Sequence, residues 1–407
     1  MKAGYVLLDG CGDRPVPGLN YTTPLEAAFT PNLDRVASRS KLGTVTTVGR
    51  GVAPESDIAV FNMLGYSFES GYPGRGVVEA VGSGLEMRDG YLALRANLAS
   101  AKGRRIVDRR AGRNLSQDEA ERLARDLSSI SLGGASFEFR ATVSYRGVLV
   151  IRAEKPLSAA VSNTDPAYAR VGGFGAAKET KGTDNVLKCR PESRAEGAVL
   201  AADLVNEFTA KAQAVLDRSE VNRERASSGK LPANCVLLRD AGDHLPALPS
   251  FEEKYGMKGT ALVEMPAEVG IARMLGMKMA AVKDRNDMAE KASLFASELR
   301  EGTLVYVHIK GPDEFGHDGD ARGKKRSIEG IDRGFFSACA DRGDLRLGVS
   351  CDHATPCTIK MHSADPVPLL VSAEKGDGMR FTEPGAARGS LGHLKGRDVL
   401  ARVLGSD

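Results

Sequence analysis

Short runs of apolar residues alternate with helical patterns at both ends of the chain. The apolar runs are residues 3–8 (AGYVLL), 303–309 (TLVYVHI) and 345–350 (LRLGVS). Continuous apolar runs of this length are typical of parallel strands buried on both faces. A helix predicted at about residues 324–340 separates two of them, and Thr30 followed by Pro31 indicates another helix N-terminus. We predict an α/β core with a mainly parallel sheet flanked by helices.

The middle of the chain has a different pattern. The segment Ser116-Gln-Asp-Glu119 has the spacing of a capping box, which indicates the start of a polar helix. Apolar and polar residues alternate over 137–143, and a turn then leads into YRGVLVIRA (145–153). This pattern predicts a β-hairpin.

The organisation into domains follows from this change of pattern. A long helix is predicted at about residues 194–218, and ASSGKLPAN (226–234) has the composition of a linker. We predict a smaller α+β domain over residues 67–234, inserted into a core of residues 1–66 and 235–407.

Composition and charge argue against several classes of protein. The 407 residues carry a formal net charge of +3, with 42% hydrophobic and 27% charged residues, an ordinary globular balance. So small a charge indicates neither nucleic acid nor a membrane surface as a partner. No run approaches the ~20 apolar residues of a transmembrane helix, and we expect no secretory signal, because the chain begins with a strand-like run. Six cysteines without a CxxC spacing favour reduced thiols and a cytoplasmic protein.

Two short segments concentrate side chains that bind divalent metals. They are HIKGPDEFGHDGD (308–320) and SCDHATPCTIKMHSADPVP (350–368), and their candidate ligands are Asp313, His317, Asp352, His353 and His362. Asp9, which follows the first strand, joins this set. Each segment begins where a predicted strand ends, and ligands of open α/β sheets lie outside the carboxyl ends of the strands. Carboxylates and imidazoles suit Zn²⁺ or Mn²⁺, so the set predicts a site for two divalent metals.

Ser56 is the candidate nucleophile. It lies in GRGVAPESDIAVFNMLG, directly before an apolar helix predicted over residues 57–64. Backbone N–H groups at a helix N-terminus favour an oxyanion or a phosphate. An N-cap serine without a catalytic role explains the same pattern, but a metal within reach would activate the hydroxyl by lowering its pKa.

With these motifs the chain resembles the archaeal-type, cofactor-independent phosphoglycerate mutases of the alkaline phosphatase superfamily. The metal motifs alone are shared with phosphopentomutases, sulfatases and alkaline phosphatases, whereas the motifs in the middle of the chain make the resemblance specific. The matching stretches cover nearly the whole chain in the family's order: DGCGDRP (9–15), TPLEAAFTPNLDR (23–35), PESDIAVFNMLGY (54–66), GRGVVEA (74–80), DRRAGR (108–113), SNTDP (162–166), NRERASSGKLPAN (222–234), EKYGMKG (253–259), HIKGPDEFGHDGD, DHATPC (352–357) and HSADPVP (362–368).

The resemblance implies an alkaline-phosphatase-like core and a role for each candidate residue. One metal would be held by Asp313, His317 and His362. The other would be held by Asp9, Asp352 and His353, with Ser56 as both ligand and nucleophile.

It also implies a set of residues that act on the substrate. Asp165 would be a general acid and base, and Lys254 or Lys258 would neutralise the phosphate. The implied phosphoglycerate-binding arginines are Arg109, Arg110, Arg113 and Arg152. Arginine suits this role because its planar fork pairs bidentately with phosphate or carboxylate. The chain departs from the family at Val269, where a lysine is usual before Gly270, and at His393, where arginine is usual.

The implied activity is the interconversion of 3-phosphoglycerate and 2-phosphoglycerate through a phosphoserine intermediate. It would need two divalent metals (Mn²⁺, Zn²⁺, Mg²⁺ or Co²⁺) and no 2,3-bisphosphoglycerate. The implied partner is the small phosphoglycerate substrate, with no nucleic acid and no membrane, and a homo-oligomer is left open. The alternatives are a metal-dependent phosphohydrolase or mutase of another phosphorylated metabolite, and an inactive relative that only binds metabolites.

Overall fold

A computed structural model of the chain describes residues 1–68, 71–171, 174–177, 185–284, 286–340 and 342–405. Its strands, in chain order, are β1 (Lys2–Leu8), β2 (Ser40–Thr46), β3 (Leu92–Lys102), β4 (Arg105–Asp108), β5 (Ala135–Ala141), β6 (Arg146–Ala153), β7 (Tyr168–Val171), β8 (Phe174–Ala177), β9 (Cys235–Gly242), β10 (Lys258–Leu262), β11 (Lys278–Met279), β12 (Thr303–Ile309), β13 (Leu345–Cys351), β14 (Val367–Ser372) and β15 (Gly392–Lys395).

Its α-helices, in chain order, are α1 (Pro24–Ala27), α2 (Pro31–Ser38), α3 (Ser56–Met63), α4 (Arg75–Gly82), α5 (Gln117–Leu127), α6 (Glu196–Leu216), α7 (Glu220–Ser227), α8 (Phe251–Tyr255), α9 (Pro266–Met274), α10 (Met288–Glu298), α11 (Pro312–Asp318), α12 (Ala321–Gly334), α13 (Glu383–Ala387) and α14 (Gly396–Leu404).

The chain forms two compact units. The core unit consists of Met1–Ser67, Leu248–Glu264 and Ile271–Asp407, and the insert unit consists of Phe68–Ala247 and Met265–Gly270. The insert unit therefore continues beyond residue 234, where the sequence pattern places the return to the core. The reason is β9, which pairs antiparallel with β3 of the insert unit. Because β9 is buried along nearly its whole length, its pattern fits either sheet, and only pairing decides which one it joins.

The sheet of the core unit has the strand order β11-β10-β12-β1-β13-β14-β2-β15. Neighbouring strands from β11 to β13 are parallel, as are β2 and β15, whereas β14 runs against both of its neighbours. The predicted α/β core with a mainly parallel sheet is confirmed. Within the part of the chain that the structure describes, no helix is long and apolar enough to cross a bilayer.

The register of three central strands brings the candidate site together. Leu8 at the end of β1 lies opposite Ile309 of β12 on one side and Cys351 of β13 on the other. The residues that follow these three strands therefore leave the sheet at the same edge. Since neighbouring strands lie ≈ 4.8 Å apart, side chains from all three can meet there.

The insert unit contains the elements that the middle of the sequence predicts. Strands β5 and β6 form an antiparallel hairpin in continuous register, and Ser116 and Glu119 form a reciprocal capping box at the start of α5. The predicted long helix corresponds to α6, whose Phe208 packs against the hairpin residues Phe137 and Phe139. The segment interpreted as a linker begins inside α7, which ends at Ser227.

Candidate active site

Acidic and imidazole side chains, most of them buried, gather at the carboxyl edge of the core sheet. Among the residues that the structure describes, two groups are compact enough to hold a metal ion, with all their ligand atoms within 4.8 Å of one another: Asp9, His308 and Asp352, and Asp313, His353 and His362. Asp9 Oδ1 and Asp352 Oδ2 are buried and have no hydrogen-bond partner among the described residues. Buried carboxylate oxygens without a donor are costly unless a cation satisfies them. The residues present therefore fit divalent metals.

His353 belongs to the second group and also approaches the first. Its Nε2 is 3.3 Å from Asp352 Oδ2 and 3.7 Å from Asp9 Oδ1, as expected for a ligand of the Asp9 metal. Its Nδ1 lies 4.0 Å from Asp313 Oδ1, on the side of the other group. The ring stacks on that of His362 with centroids 3.9 Å apart. His353 thus lies close to residues of both groups.

His308 and Lys310 belong to this site but are missing from the set derived from the sequence. His308 Nε2 lies 3.4 Å from Asp352 Oδ2, and Lys310 Nζ lies 3.3 Å from Asp9 Oδ2. His308 occupies the penultimate position of β12, and Lys310 follows this strand. The signal that could have revealed both residues is the rule that already selects Asp9, namely a polar side chain at the end of a central strand.

The other two histidines of the site are oriented by backbone carbonyls. His317 Nδ1 is 3.1 Å from Lys360 O, and His362 Nδ1 is 2.8 Å from Pro54 O. A carbonyl only accepts, so in each ring Nδ1 carries a hydrogen. The Nε2 atom of each ring then faces Asp313. It lies 3.5 Å from Asp313 Oδ2 in His317 and 3.6 Å from Asp313 Oδ1 in His362. This arrangement is typical of metal-ligating histidines, although His317, at 43% side-chain exposure, is the most accessible of the set.

Ser56 is the first residue of α3, after Glu55 at the N-cap position. Its Oγ lies 3.1 Å from His353 Nε2. The preceding segment is fixed at the site, because Pro54 O accepts the hydrogen bond from His362. The structure therefore places Ser56 next to His353, whereas the predicted ligand His317 belongs to neither compact group.

Gly10 permits the close approach of the loops that carry the ligands. Its φ of +56° is in the left-handed region, and a Cβ at this position would lie 2.5 Å from Asp313 Oδ1 and 2.7 Å from Thr355 Oγ1. Its N–H donates to Asp352 Oδ1 at 3.0 Å. Only glycine combines this conformation with the absence of a side chain.

Burial and mutual interaction separate the pKa values in the site. Burial raises the pKa of Asp9 to about 7 and lowers the pKa of His353 to about 4. Burial would also raise the pKa of Asp313, but its hydrogen bond with His362 and the charges of nearby imidazoles hold it well below the usual value. Although burial disfavours the charged ring, interaction with Asp313 raises the pKa of His362 to about 9. In the metal-free protein at neutral pH, His362 is therefore protonated and Asp9 is close to its midpoint.

Metal affinity is expected to increase with pH, because metal ions compete with these two protons. Below pH 7, metal binding must displace a proton from both His362 and Asp9. Between about pH 7 and 9 it displaces a proton mainly from His362, and above pH 9 neither residue carries a proton that must be displaced. The logarithm of the association constant should thus rise more steeply below pH 7 than above it. Calorimetric titration of chelator-treated protein with Mg²⁺ or Zn²⁺ between about pH 6 and 8.5 measures this slope. A pH-independent affinity would contradict it.

In the insert unit, Asp165 and Arg109 form a buried ion pair. Asp165 has no exposed surface, and Arg109 binds it bidentately, with Nε donating to Oδ1 at 3.0 Å and Nη2 to Oδ2. Arg239 Nη1 approaches the same carboxylate at 3.5 Å, and its guanidinium lies over the Tyr168 ring at 4.5 Å from the centroid. The structure thus joins a predicted acid–base residue to a predicted substrate-binding arginine.

Arg110 precedes a strained turn, and Arg113 is the last residue of this turn. Ala111, Gly112 and Arg113 have φ values of 45°, 74° and 56°, all in the left-handed region. The buried Arg225 holds this turn, because its Nη2 donates to Ala111 O at 3.0 Å and to Asn114 Oδ1 at 2.7 Å. Backbone strain that is maintained by buried contacts is characteristic of functional loops.

The remaining predicted substrate residues already have partners. Arg152 pairs with Glu138 at 3.1 Å and lies over the Tyr91 ring. Lys254, in the core unit, donates to Gly65 O, and its ammonium lies 4.3 Å from the centroid of the Tyr66 ring. Lys258, the alternative to Lys254, is the exposed first residue of β10.

Comparison with known proteins relates this arrangement to one family. Residues 37–222 match the family model described as 2,3-bisphosphoglycerate-independent phosphoglycerate mutase. The chain is 44% identical to the protein of that name from Aeropyrum pernix, with 97% of each chain covered. It is 40% identical to the protein of that name from Methanopyrus kandleri, covering 98% of this chain and 94% of the relative. A solved cofactor-independent phosphoglycerate mutase from Thermoplasma acidophilum superposes with a TM-score of 0.65 at 30% identity over all of both chains. The chain therefore belongs to the 2,3-bisphosphoglycerate-independent phosphoglycerate mutase family.

Proposed function

We propose that this protein interconverts 3-phosphoglycerate and 2-phosphoglycerate through a phosphoserine at Ser56, with two divalent metals and without 2,3-bisphosphoglycerate. The observation that carries the proposal is the 3.1 Å contact between Ser56 Oγ and His353 Nε2, inside a cluster of carboxylates and imidazoles. The 44% identity of the chain to the 2,3-bisphosphoglycerate-independent phosphoglycerate mutase of Aeropyrum pernix supports the same proposal. We propose a cytoplasmic location, where this substrate is available.

The ligand sets proposed are Asp313, His317 and His362 for one metal, and Asp9, Ser56, Asp352 and His353 for the other, with His308 beside the second set. When bound, the metals would neutralise the phosphoryl oxygens and lower the pKa of the Ser56 hydroxyl. Lys310 adds a fixed positive charge near Asp9. The position of Ser56 at the start of α3 adds backbone N–H groups that favour an anion.

The reaction consists of two transfers that mirror each other. Ser56 Oγ, reacting as an alkoxide, forms a bond to phosphorus as the bond from phosphorus to one glycerate oxygen breaks, and the alkoxide is regenerated in the second transfer. The other glycerate hydroxyl then attacks phospho-Ser56, and the Ser56 oxygen leaves. Asp165 is the proposed acid and base, moving a proton between the two glycerate oxygens so that none is gained or lost overall. Water must be excluded from phospho-Ser56, because its attack would release inorganic phosphate and make the enzyme a phosphatase.

A mutase assay on chelator-treated protein tests this function. We expect purified protein to form 2-phosphoglycerate from 3-phosphoglycerate without added 2,3-bisphosphoglycerate. Activity should disappear after exhaustive chelation and return with at least one of Mn²⁺, Mg²⁺, Zn²⁺ and Co²⁺, each added separately. Phosphate release without 2-phosphoglycerate would identify a phosphohydrolase instead. Full activity in protein shown to contain no metal would refute the two-metal mechanism.

Arg110 and Arg113 are proposed to bind the glycerate part of the substrate and to limit loss of the intermediate. A charge-assisted hydrogen bond typically contributes about 1.5–3 kcal/mol, so the double variant Arg110→Ala, Arg113→Ala should release glycerate before it is rephosphorylated. We expect the ratio of inorganic phosphate to 2-phosphoglycerate to increase. The matched control replaces Arg194 and Arg218, two exposed arginines of the same unit, and should leave the ratio unchanged. If both rates fell together at constant ratio, these arginines would have no part in partitioning.

A further inference from the structure

Thr355 lies between Asp313 and His353, which the proposed ligand sets assign to different metals. It lies two residues after His353 and is completely buried. Its Oγ1 is 2.6 Å from Asp313 Oδ1 and 3.1 Å from His353 Nδ1. It therefore contacts one predicted ligand of each metal, although it is not a candidate ligand itself.

The chemistry of these three groups fixes the direction of both hydrogen bonds. A hydroxyl has one hydrogen to donate and lone pairs that accept, whereas a carboxylate only accepts. Thr355 donates to Asp313, and the short distance is typical of a hydroxyl bonded to a carboxylate. Toward His353 it can then offer only a lone pair, so His353 Nδ1 must carry the hydrogen. This leaves the lone pair of His353 on Nε2, the atom that faces Ser56 Oγ at 3.1 Å.

The backbone of Thr355 is held on both sides. Its N–H donates to Gly12 O at 3.0 Å, and its carbonyl accepts from Lys324 Nζ at 2.9 Å. Lys324 is fully buried and also pairs with Asp13 at 2.8 Å. Because a β-branched side chain on a fixed backbone has few rotamers, the hydroxyl is held between its two partners.

We propose that Thr355 is a positioning residue, which holds His353 in the Nδ1–H tautomer and joins it to Asp313. Without the hydroxyl, the imidazole could adopt the other tautomer and direct an N–H group toward Ser56 and Asp352, where it could not bind a metal. The proposal deepens the proposed function, since it concerns the same site, but it can be measured without turnover.

Two variants and the wild-type protein test this role. Thr355→Val removes the hydroxyl at nearly constant volume, and Thr355→Ser retains it. With ¹⁵N-labelled histidine, nitrogen chemical shifts report the His353 tautomer in chelator-treated protein at neutral pH, and a His353 variant assigns the signals. Titration calorimetry with Zn²⁺ measures metal affinity.

We expect the Nδ1–H tautomer in the wild type and in Thr355→Ser, with similar Zn²⁺ affinities. Thr355→Val should lose this tautomer preference and bind Zn²⁺ about 10–100-fold more weakly, the usual effect of removing a partner of a metal-ligating histidine. An Nε2–H tautomer in the wild type, or wild-type behaviour of Thr355→Val, would overturn the proposal. If Thr355→Val fails to fold, the wild-type tautomer and Thr355→Ser still decide the question. If these results are as expected but the protein does not convert 3-phosphoglycerate, the proposed function fails and the positioning role stands.

Discussion

The Ser56→Ala variant is expected to lose mutase turnover by roughly 10⁴-fold or more, because it removes the hydroxyl proposed to accept the phosphoryl group. Ser56 is half-buried and makes its contact through Oγ with His353. Loss of this hydroxyl should therefore change the free energy of unfolding by no more than about 1 kcal/mol. The measurements are the rate of 2-phosphoglycerate formation and the thermal unfolding midpoint.

Mass spectrometry makes this prediction specific. Wild-type protein quenched with substrate should carry phosphate on Ser56, and the alanine variant should carry none. Ser38→Ala is a suitable control, because Ser38 is exposed and its Oγ donates to the nearby Arg35 O. A variant that retained more than a few per cent of the wild-type rate would remove Ser56 from the mechanism.

His353→Ala is expected to be more damaging than His317→Ala. His353 is buried, lies beside Ser56, Asp9 and Asp352, and connects to Asp313 through Thr355. We expect the alanine variant to lose rate by roughly 10³-fold or more and to retain less than one metal, compared with about two in a complete two-metal site. His317 faces Asp313 from the exposed side, so its loss should leave the Asp9 group intact, with about one metal bound.

Metal analysis after desalting, together with rates at saturating metal, separates these outcomes. Excess metal should restore more activity to His317→Ala than to His353→Ala. The reason is that His353→Ala also lacks the imidazole beside Ser56. The half-buried His244 is a control, since it lies outside the site and its Nδ1 contacts the neighbouring Asp243. Equal metal loss and equal rates for the two variants would show that His353 has no special position between the metals.

Much of the site could be predicted from the sequence because its chemistry is local in the chain. Asp9 and Asp352 directly follow apolar runs that become β1 and β13, and Asp313 and His317 share one face of α11. His308 could have been found by the same argument but was missed, because its position inside an apolar run resembles that of a core residue. The predicted helix at residues 324–340 also extends too far, since α12 ends at Gly334 and Phe336–Ala338 form a 3₁₀ turn.

The sequence by itself determined the α/β class, the carboxyl-edge location of Asp9 and Asp352, and Ser56 at a helix N-terminus. These features depend on hydrophobic periodicity and on residues next to the ends of individual elements. Only the tertiary structure decided that β9 joins β3, that Arg109 binds Asp165 and that Thr355 lies between His353 and Asp313. Such contacts join residues far apart in the chain, and many partners satisfy the same local pattern. The choice among them is made by strand pairing and by the burial of polar groups, which no short segment of sequence contains.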